Sequence, residues 1–161
     1  MFELGSITKV FTALLVFRLQ QRQLLDVTAP IGLYVEGLPS EWASTSLLRL
    51  LSHTSGIPNY LNEDNFLRLM PTSPQPRELL AGVEQMPLEF APGTRHAYSN
   101  TNYILLGLAI EHATRMDYWN VLQEEILSPL GMRDAGPRRS EGRPRDGPGG
   151  LFQDGQGPDP P

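Results

Sequence analysis

Phe2-Glu3-Leu4-Gly5-Ser6-Ile7-Thr8-Lys9-Val10-Phe11-Thr12-Ala13 opens a chain of 161 residues and sets a serine three positions before a lysine, at the head of an apolar run. On a helix, positions i and i+3 share a face with Cβ atoms roughly 5–6 Å apart, so a hydroxyl and an amine there meet side by side. A serine hydroxyl becomes a useful nucleophile when a neighbouring base takes its proton. Lysine serves as that base where burial or nearby positive charge favours its neutral form. The residues Val10, Phe11, Ala13, Leu14, Leu15, Val16 and Phe17 supply the burial. In a first helical turn the Ser6 backbone N–H has no intrahelical partner and faces whatever the hydroxyl attacks. Lys9 is also the only lysine, and guanidinium, which the chain uses elsewhere, does not deprotonate. The plainer alternative is a buried helix with a snorkelling lysine.

Working outward, the length predicts one domain. A hydrophobic fraction of 40% and a charged fraction of 19% suit a globular protein. The net charge of −5, with no basic block in the first 130 residues, argues against a nucleic-acid partner. The absence of cysteine excludes disulfides, thiolate metal sites and a cysteine nucleophile, and leaves the compartment open. The opening apolar run is read as a helix rather than a signal peptide, because Glu3 precedes it and no small-residue cleavage site follows before Arg18 and Arg22. No run reaches the roughly 18 apolar residues that a spanning helix needs. A catalytic helix does not ordinarily begin a domain, so supporting elements are expected ahead of Met1.

Residues 6–20 read as a helix apolar almost all round, hence buried, which Gln20 to Gln23 end. Asp26-Val27-Thr28-Ala29-Pro30 reads as a turn and residues 31–40 as a loop. Thr45-Ser46-Leu47-Leu48-Arg49-Leu50-Leu51 predicts a short helix capped by Ser44 or Thr45. It stops at Ser52-His53-Thr54-Ser55-Gly56-Ile57-Pro58, where Gly56 can take φ > 0 and Pro58 blocks continuation. A short helix over 63–70 and a linker with Pro71, Pro74 and Pro76 come next. Pro76 starts a helix to about Met86, a position proline tolerates. A Pro92-Gly93 turn follows, with a short hairpin expected near 88–98. Tyr103, Ile104, Leu105, Leu106, Leu108, Ala109 and Ile110 predict a second buried helix, capped by Asn100 or Thr101. A last helix spans about 117–127 behind an Asp117 cap. From Gly136 on, Gly, Pro, Arg and Asp dominate, and such a segment cannot bury enough surface to offset its ordering entropy. The expected organisation is a domain over 1–135 and a disordered tail over 136–161.

A second chemical signal is Tyr98-Ser99-Asn100, between a Pro-Gly turn and a buried helix, on a loop held by rigid neighbours. A phenol beside an ammonium can relay protons, and an asparagine offers a donor and an acceptor to a substrate amide. The plainer reading packs Tyr98, exposes Ser99 and makes Asn100 a cap. His53, His96 and His112 have no metal-ligand spacing and are read as structural. A Ser-His-Asp triad on Ser6 or Ser55 lacks a G-x-S-x-G elbow.

Taken together, Ser6/Lys9 and Tyr98/Asn100, in this order and about 90 residues apart, resemble the motifs of the penicillin-recognising serine hydrolases, chiefly the group of class C β-lactamases, D-alanyl-D-alanine carboxypeptidases and esterases. Leu50-Leu51-Ser52-His53-Thr54-Ser55-Gly56-Ile57-Pro58 resembles that family's "LLSHTSGIP" loop. Pro92-Gly93-Thr94 with Tyr98-Ser99-Asn100 resembles its "PGT…YSN" segment, and Pro129-Leu130-Gly131-Met132-Arg133-Asp134 its "PLGM-D" close. The resemblance implies an acyl-enzyme formed on Ser6, proton handling shared by Lys9 and Tyr98, and Asn100 on the substrate's amide side chain. It implies a small-molecule or peptide substrate (a β-lactam, a D-amino-acid peptide or an ester) and no metal or organic cofactor.

The same resemblance sets the fold expectation. This is a mainly α chain, the helical half of an α+β β-lactamase/transpeptidase-like fold with most of the antiparallel sheet missing. The family's third motif, Lys-Thr-Gly or a His-x-Gly equivalent, has no counterpart, and Arg145-Asp146-Gly147 imitates it poorly. The isolated chain is therefore expected to be inactive, the alternative being a non-catalytic chain with at most a binding role.

Overall fold

The structure is a computed structural model that describes residues 4–62 and 74–136. The expected helix over 63–70, the linker's residues 71–73, and the tail from 137 onward lie outside the described residues. A 3₁₀ turn, Gly5–Ile7, leads into α1, Thr8–Gln21. Then come a 3₁₀ turn Ile31–Leu33, α2 (Ser40–Ala43), α3 (Leu47–Leu51), α4 (Pro76–Ala81), α5 (Asn100–Thr114), α6 (Tyr118–Leu122) and a π turn Gln123–Leu127. No strand occurs among the described residues; one antiparallel bridge, Pro30 to Ser46, is the whole of the β pairing there. The region 88–98 is irregular rather than a hairpin.

α5 is the hub, with α1, α3, α4 and α6 packed on it. Its residues Tyr103–Ile110 are apolar nearly all round, and Ile104, Leu105, Leu106, Ala109 and Ile110 are fully buried. α1 is two-faced, which corrects the expectation of burial all round. Lys9, Thr12, Leu15, Val16 and Leu19 face the core, while Ile7, Val10, Leu14 and Phe17 lie open, Val10 with 67% of its surface exposed. The exposed residues recur at the spacing of a single helix face.

The helix ends follow from local chemistry. α1 closes with Gln23 at φ +59, Gln23 N–H donating to Gln20 O and Leu24 N–H to Leu19 O, a left-handed stop of the Schellman type. α3 starts at Leu47 with Ser46, rather than Ser44 or Thr45, in the cap position. Its first donors are met by backbone: Leu47 N–H donates to Ala29 O and Leu48 N–H to Val27 O, so no side-chain cap is needed. α4 begins on Pro76, with Gln75 and Glu78 forming a capping box. Asp117 caps α6 as expected, its Oδ1 accepting from Trp119 N–H and Asn120 N–H. Arg18 on α1 and Arg22 just past its end pair with Glu125 on the π turn.

Candidate active site

Ser6, Lys9, Tyr98 and Asn100 converge where the N-terminal end of α1 meets the N-terminal end of α5. Ser6 sits in the 3₁₀ turn ahead of α1, with Gly5 before it at φ +49. Ser6 Oγ lies 2.8 Å from Tyr98 OH. Lys9 Nζ donates to Ser6 Oγ at 3.3 Å and to Asn100 Oδ1 at 2.8 Å. Lys9 retains only 8% of its surface exposed, whereas Tyr98 is 48% exposed and Ser6 is open. The amine is thus inside, the hydroxyl and the phenol at the surface. Nζ also stands over the faces of Tyr98 (5.1 Å) and Tyr103 (5.6 Å), which favour a cation electrostatically.

The expected capping role of Asn100 does not hold. Ser99 occupies the cap position, with φ −137, and Asn100 is the first helical residue. Its side chain is committed elsewhere: Oδ1 to Lys9, Nδ2 to Asn59 Oδ1 at 3.2 Å. The cap of α5 arrives from a distant loop, because Asn59 Oδ1 also accepts the Asn100 backbone N–H at 2.9 Å.

That loop, residues 52–60, is the part of the site that residue chemistry alone undervalued. His53 stands at φ +55 just past α3, where its N–H donates to Leu50 O and Thr54 N–H to Arg49 O. Glycine normally takes this left-handed stop, since a side chain there costs about 1–2 kcal/mol. The imidazole offsets that cost by its contacts. It packs on Tyr98 at 4.6 Å and on Tyr103 at 5.2 Å, and its Nδ1 accepts the Ser99 N–H at 3.2 Å. His96 lies edge-on to it at 6.0 Å. Burial, then the Lys9 charge, then His96 push the His53 pKa down to about 4, so the ring is neutral at neutral pH and can accept. Burial, followed by the neighbouring Tyr98, raises the phenol of Tyr103.

The loop's register is fixed by backbone. Ala97 N–H donates to His53 O, Gly93 N–H to Thr54 O, and Glu89 N–H to Gly56 O. Gly56, at φ +77, lies so close to Phe90 that an added Cβ would come within 2.1 Å of the Phe90 carbonyl oxygen. Ser55 is buried and donates to Asn102 Oδ1 at 2.8 Å, a structural bond that removes it as a nucleophile. Thr101 Oγ1 donates to Pro58 O and accepts from Tyr60 N–H. Two sequence motifs some 40 residues apart thus form one clamp around the start of α5. His112, edge-on to Tyr34, lies outside the site.

Among the described residues, no group of three or more His, Cys, Asp and Glu side chains could hold a metal ion, and no helix is long and apolar enough to cross a membrane.

The profile of the beta-lactamase family matches residues 1–159. Penicillin-binding protein 4* of Bacillus subtilis is 31% identical over 148 residues, covering 83% of this chain and 30% of that protein. The D-stereospecific amidohydrolase of a Streptomyces species superposes with a TM-score of 0.75 at 30% identity, covering 82% of this chain and 43% of that one. D-amino acid amidase from Ochrobactrum anthropi gives a TM-score of 0.76 at 30% identity, covering 91% of this chain and 40% of that one. The chain therefore spans less than half the length of these relatives.

Proposed function

The chain belongs to the β-lactamase family, and on that footing we propose that its site carries serine acyl transfer on an amide, β-lactam or ester. Ser6 Oγ attacks the carbonyl carbon, and its proton passes to Lys9 Nζ acting as the neutral amine, or to the oxygen of Tyr98 acting as the phenolate. Collapse of the tetrahedral adduct breaks the bond to the leaving group, which takes that proton and leaves an ester on Ser6. Water or another nucleophile then releases the acyl group. The single observation that carries this reading is that Lys9 Nζ and Tyr98 OH both reach Ser6 Oγ, at 3.3 and 2.8 Å. Both lie within the reach expected of a proton acceptor in an unliganded site. Asn100 holds Lys9 in the free site and meets the substrate's amide side chain once substrate is bound. The relatives' names, a penicillin-binding protein and D-specific amidohydrolases, favour small D-amino-acid amides or penicillin-like lactams as substrates.

The open apolar face of α1 favours a second reading for the 161-residue chain taken alone: a non-catalytic chain that at most binds a partner through that face. Incubation with a fluorophosphonate and with a labelled penicillin, followed by mass spectrometry of the Ser6 peptide, tests both. The expected result is a fluorophosphonate adduct on Ser6, absent from Ser6→Ala and slowed about 100-fold or more in Lys9→Met and in Tyr98→Phe. An adduct that survives Ser6→Ala, or none in the parent chain, removes the acyl-transfer reading. Steady hydrolysis of penicillin by this chain removes the non-catalytic reading.

A further inference from the structure

Lys9 Nζ donates to Asn100 Oδ1 at 2.8 Å, so the Asn100 amide presents its oxygen to Nζ and its nitrogen the other way. An amide can satisfy that demand in one of two flips, and its near-symmetric shape makes the choice depend on its second partner. Here the second partner is Asn59. Its Oδ1 accepts from Asn100 Nδ2 at 3.2 Å and from Asn100 N–H at 2.9 Å. The flip of Asn59 is fixed in turn, because its Nδ2 donates to Leu61 O at 2.5 Å. The orientation thus runs from a backbone carbonyl through two amides to the lysine, each donor meeting an acceptor.

We propose that Asn59 is a positioning residue for the site: it sets the flip of Asn100 and so keeps Asn100 Oδ1 against Lys9 Nζ. This rests on the acyl-transfer reading only for its consequence, since the flip itself is a property of the folded chain. Asn59 bonds Asn100 and its own loop, and it acts on the site through Asn100. Asn59→Ala removes both the acceptor for Asn100 and the donor for Leu61. Asn59→Asp keeps the acceptor for Asn100, removes the donor to Leu61 O and sets a charge against that carbonyl. The two variants separate orientation of Asn100 from anchoring of the loop.

Because Lys9 is the only lysine, selectively labelled lysine gives one set of side-chain signals. Cross-relaxation between the Lys9 Hε protons and the Asn100 Nδ2 protons in NMR reads the flip directly. The parent chain should show weak cross-peaks, Asn59→Ala strong ones, and Asn59→Asp the parent pattern. Fluorophosphonate labelling of Ser6 should slow by 10-fold or more, up to about 100-fold, in Asn59→Ala and recover in Asn59→Asp. Strong cross-peaks in the parent chain overturn the proposal without any variant, which covers the case that Asn59→Ala does not fold. An Asn59→Asp variant that behaves like Asn59→Ala overturns it as well, by reducing Asn59 to a loop anchor. Absence of a Ser6 adduct in the parent chain would count against the acyl-transfer reading alone, with the NMR arm still deciding the role of Asn59.

Discussion

Acidification should weaken the fold through one imidazole. The His53 pKa is pushed from 6.5 down to about 4 in the fold, by burial first, then by the Lys9 charge and His96. Between those values the unfolded chain binds a proton that the folded chain refuses, so stability falls as the pH falls. The loss begins near pH 6.5 and is complete below about 4. A gap of that size, at about 1.4 kcal/mol per pH unit, corresponds to roughly 3 kcal/mol. His53 is only half-buried, so solvent screening reduces the expectation to about 1–2 kcal/mol. Two carboxylates titrate near the same range. Burial raises Glu111 above 4.5, so its charged form opposes the fold and stability rises as pH falls through its raised pKa. Asp26 is lowered by the Thr28 hydroxyl and N–H, so its contribution is lost only below 3.8, outside the window. A variant is therefore needed to isolate the imidazole.

Asn suits that purpose at position 53, since it tolerates the left-handed region better than other non-glycine residues. Urea unfolding of the parent chain and His53→Asn at pH 7, 5.5 and 4.2 gives two stability curves in which Glu111 and Asp26 cancel. The parent curve should fall by about 1–2 kcal/mol more than the variant curve between pH 7 and 4.2. Parallel curves would refute the claim that the fold excludes the His53 proton.

Three further outcomes are expected. Gly56→Ala places a methyl into the Phe90 carbonyl at a residue with φ +77, and should cost about 3 kcal/mol or more by chemical denaturation. Thr12→Val removes the buried partner of Tyr118 OH, 2.7 Å away, and should cost about 1–3 kcal/mol. Adding Tyr118→Phe should return part of that loss, whereas an additive double variant would show that the two hydroxyls are not coupled. Val10→Ser, on the open face of α1, should change stability by no more than about 0.5 kcal/mol; a larger loss would mean that this face is covered in solution.

The helices were legible where burial is strongly periodic or complete. Residues 103–110 form an unbroken apolar stretch, and α5 forms around it as the hub. Asp117 was recognisable as a cap because a carboxylate two residues before a backbone N–H has one evident use. The caps of α3 and α5 were not legible, and the reason is physical. Their first N–H groups are met from segments distant in sequence, by Ala29 and Val27 for α3 and by Asn59 for α5. Local rules select a nearby hydroxyl or amide, but a tertiary acceptor can satisfy the same donor. The exposure of Val10 and Phe17 was hidden for a related reason, since an apolar run records what a face prefers and not what lies against it.

The candidate site shows the same division. Ser6 and Lys9 could be paired from helical spacing alone, and Tyr98 and Asn100 joined them through the resemblance; all four meet within hydrogen-bond distances. His53 and Asn59 carried no such signal, because each acts on another site residue rather than on Ser6. A left-handed histidine at the end of α3 has no propensity in its favour, and its φ becomes intelligible only with the Ser99 N–H at Nδ1 and the Tyr98 ring against its face. The sole lysine can be understood in similar terms. At position 9 a slender chain must reach two oxygens, Ser6 Oγ and Asn100 Oδ1, while staying almost wholly buried between two phenol rings. A guanidinium is planar, broader and permanently charged, so arginine would fill that space without being able to yield a proton. The use of arginine everywhere else in the chain thus sharpens what is asked of Lys9.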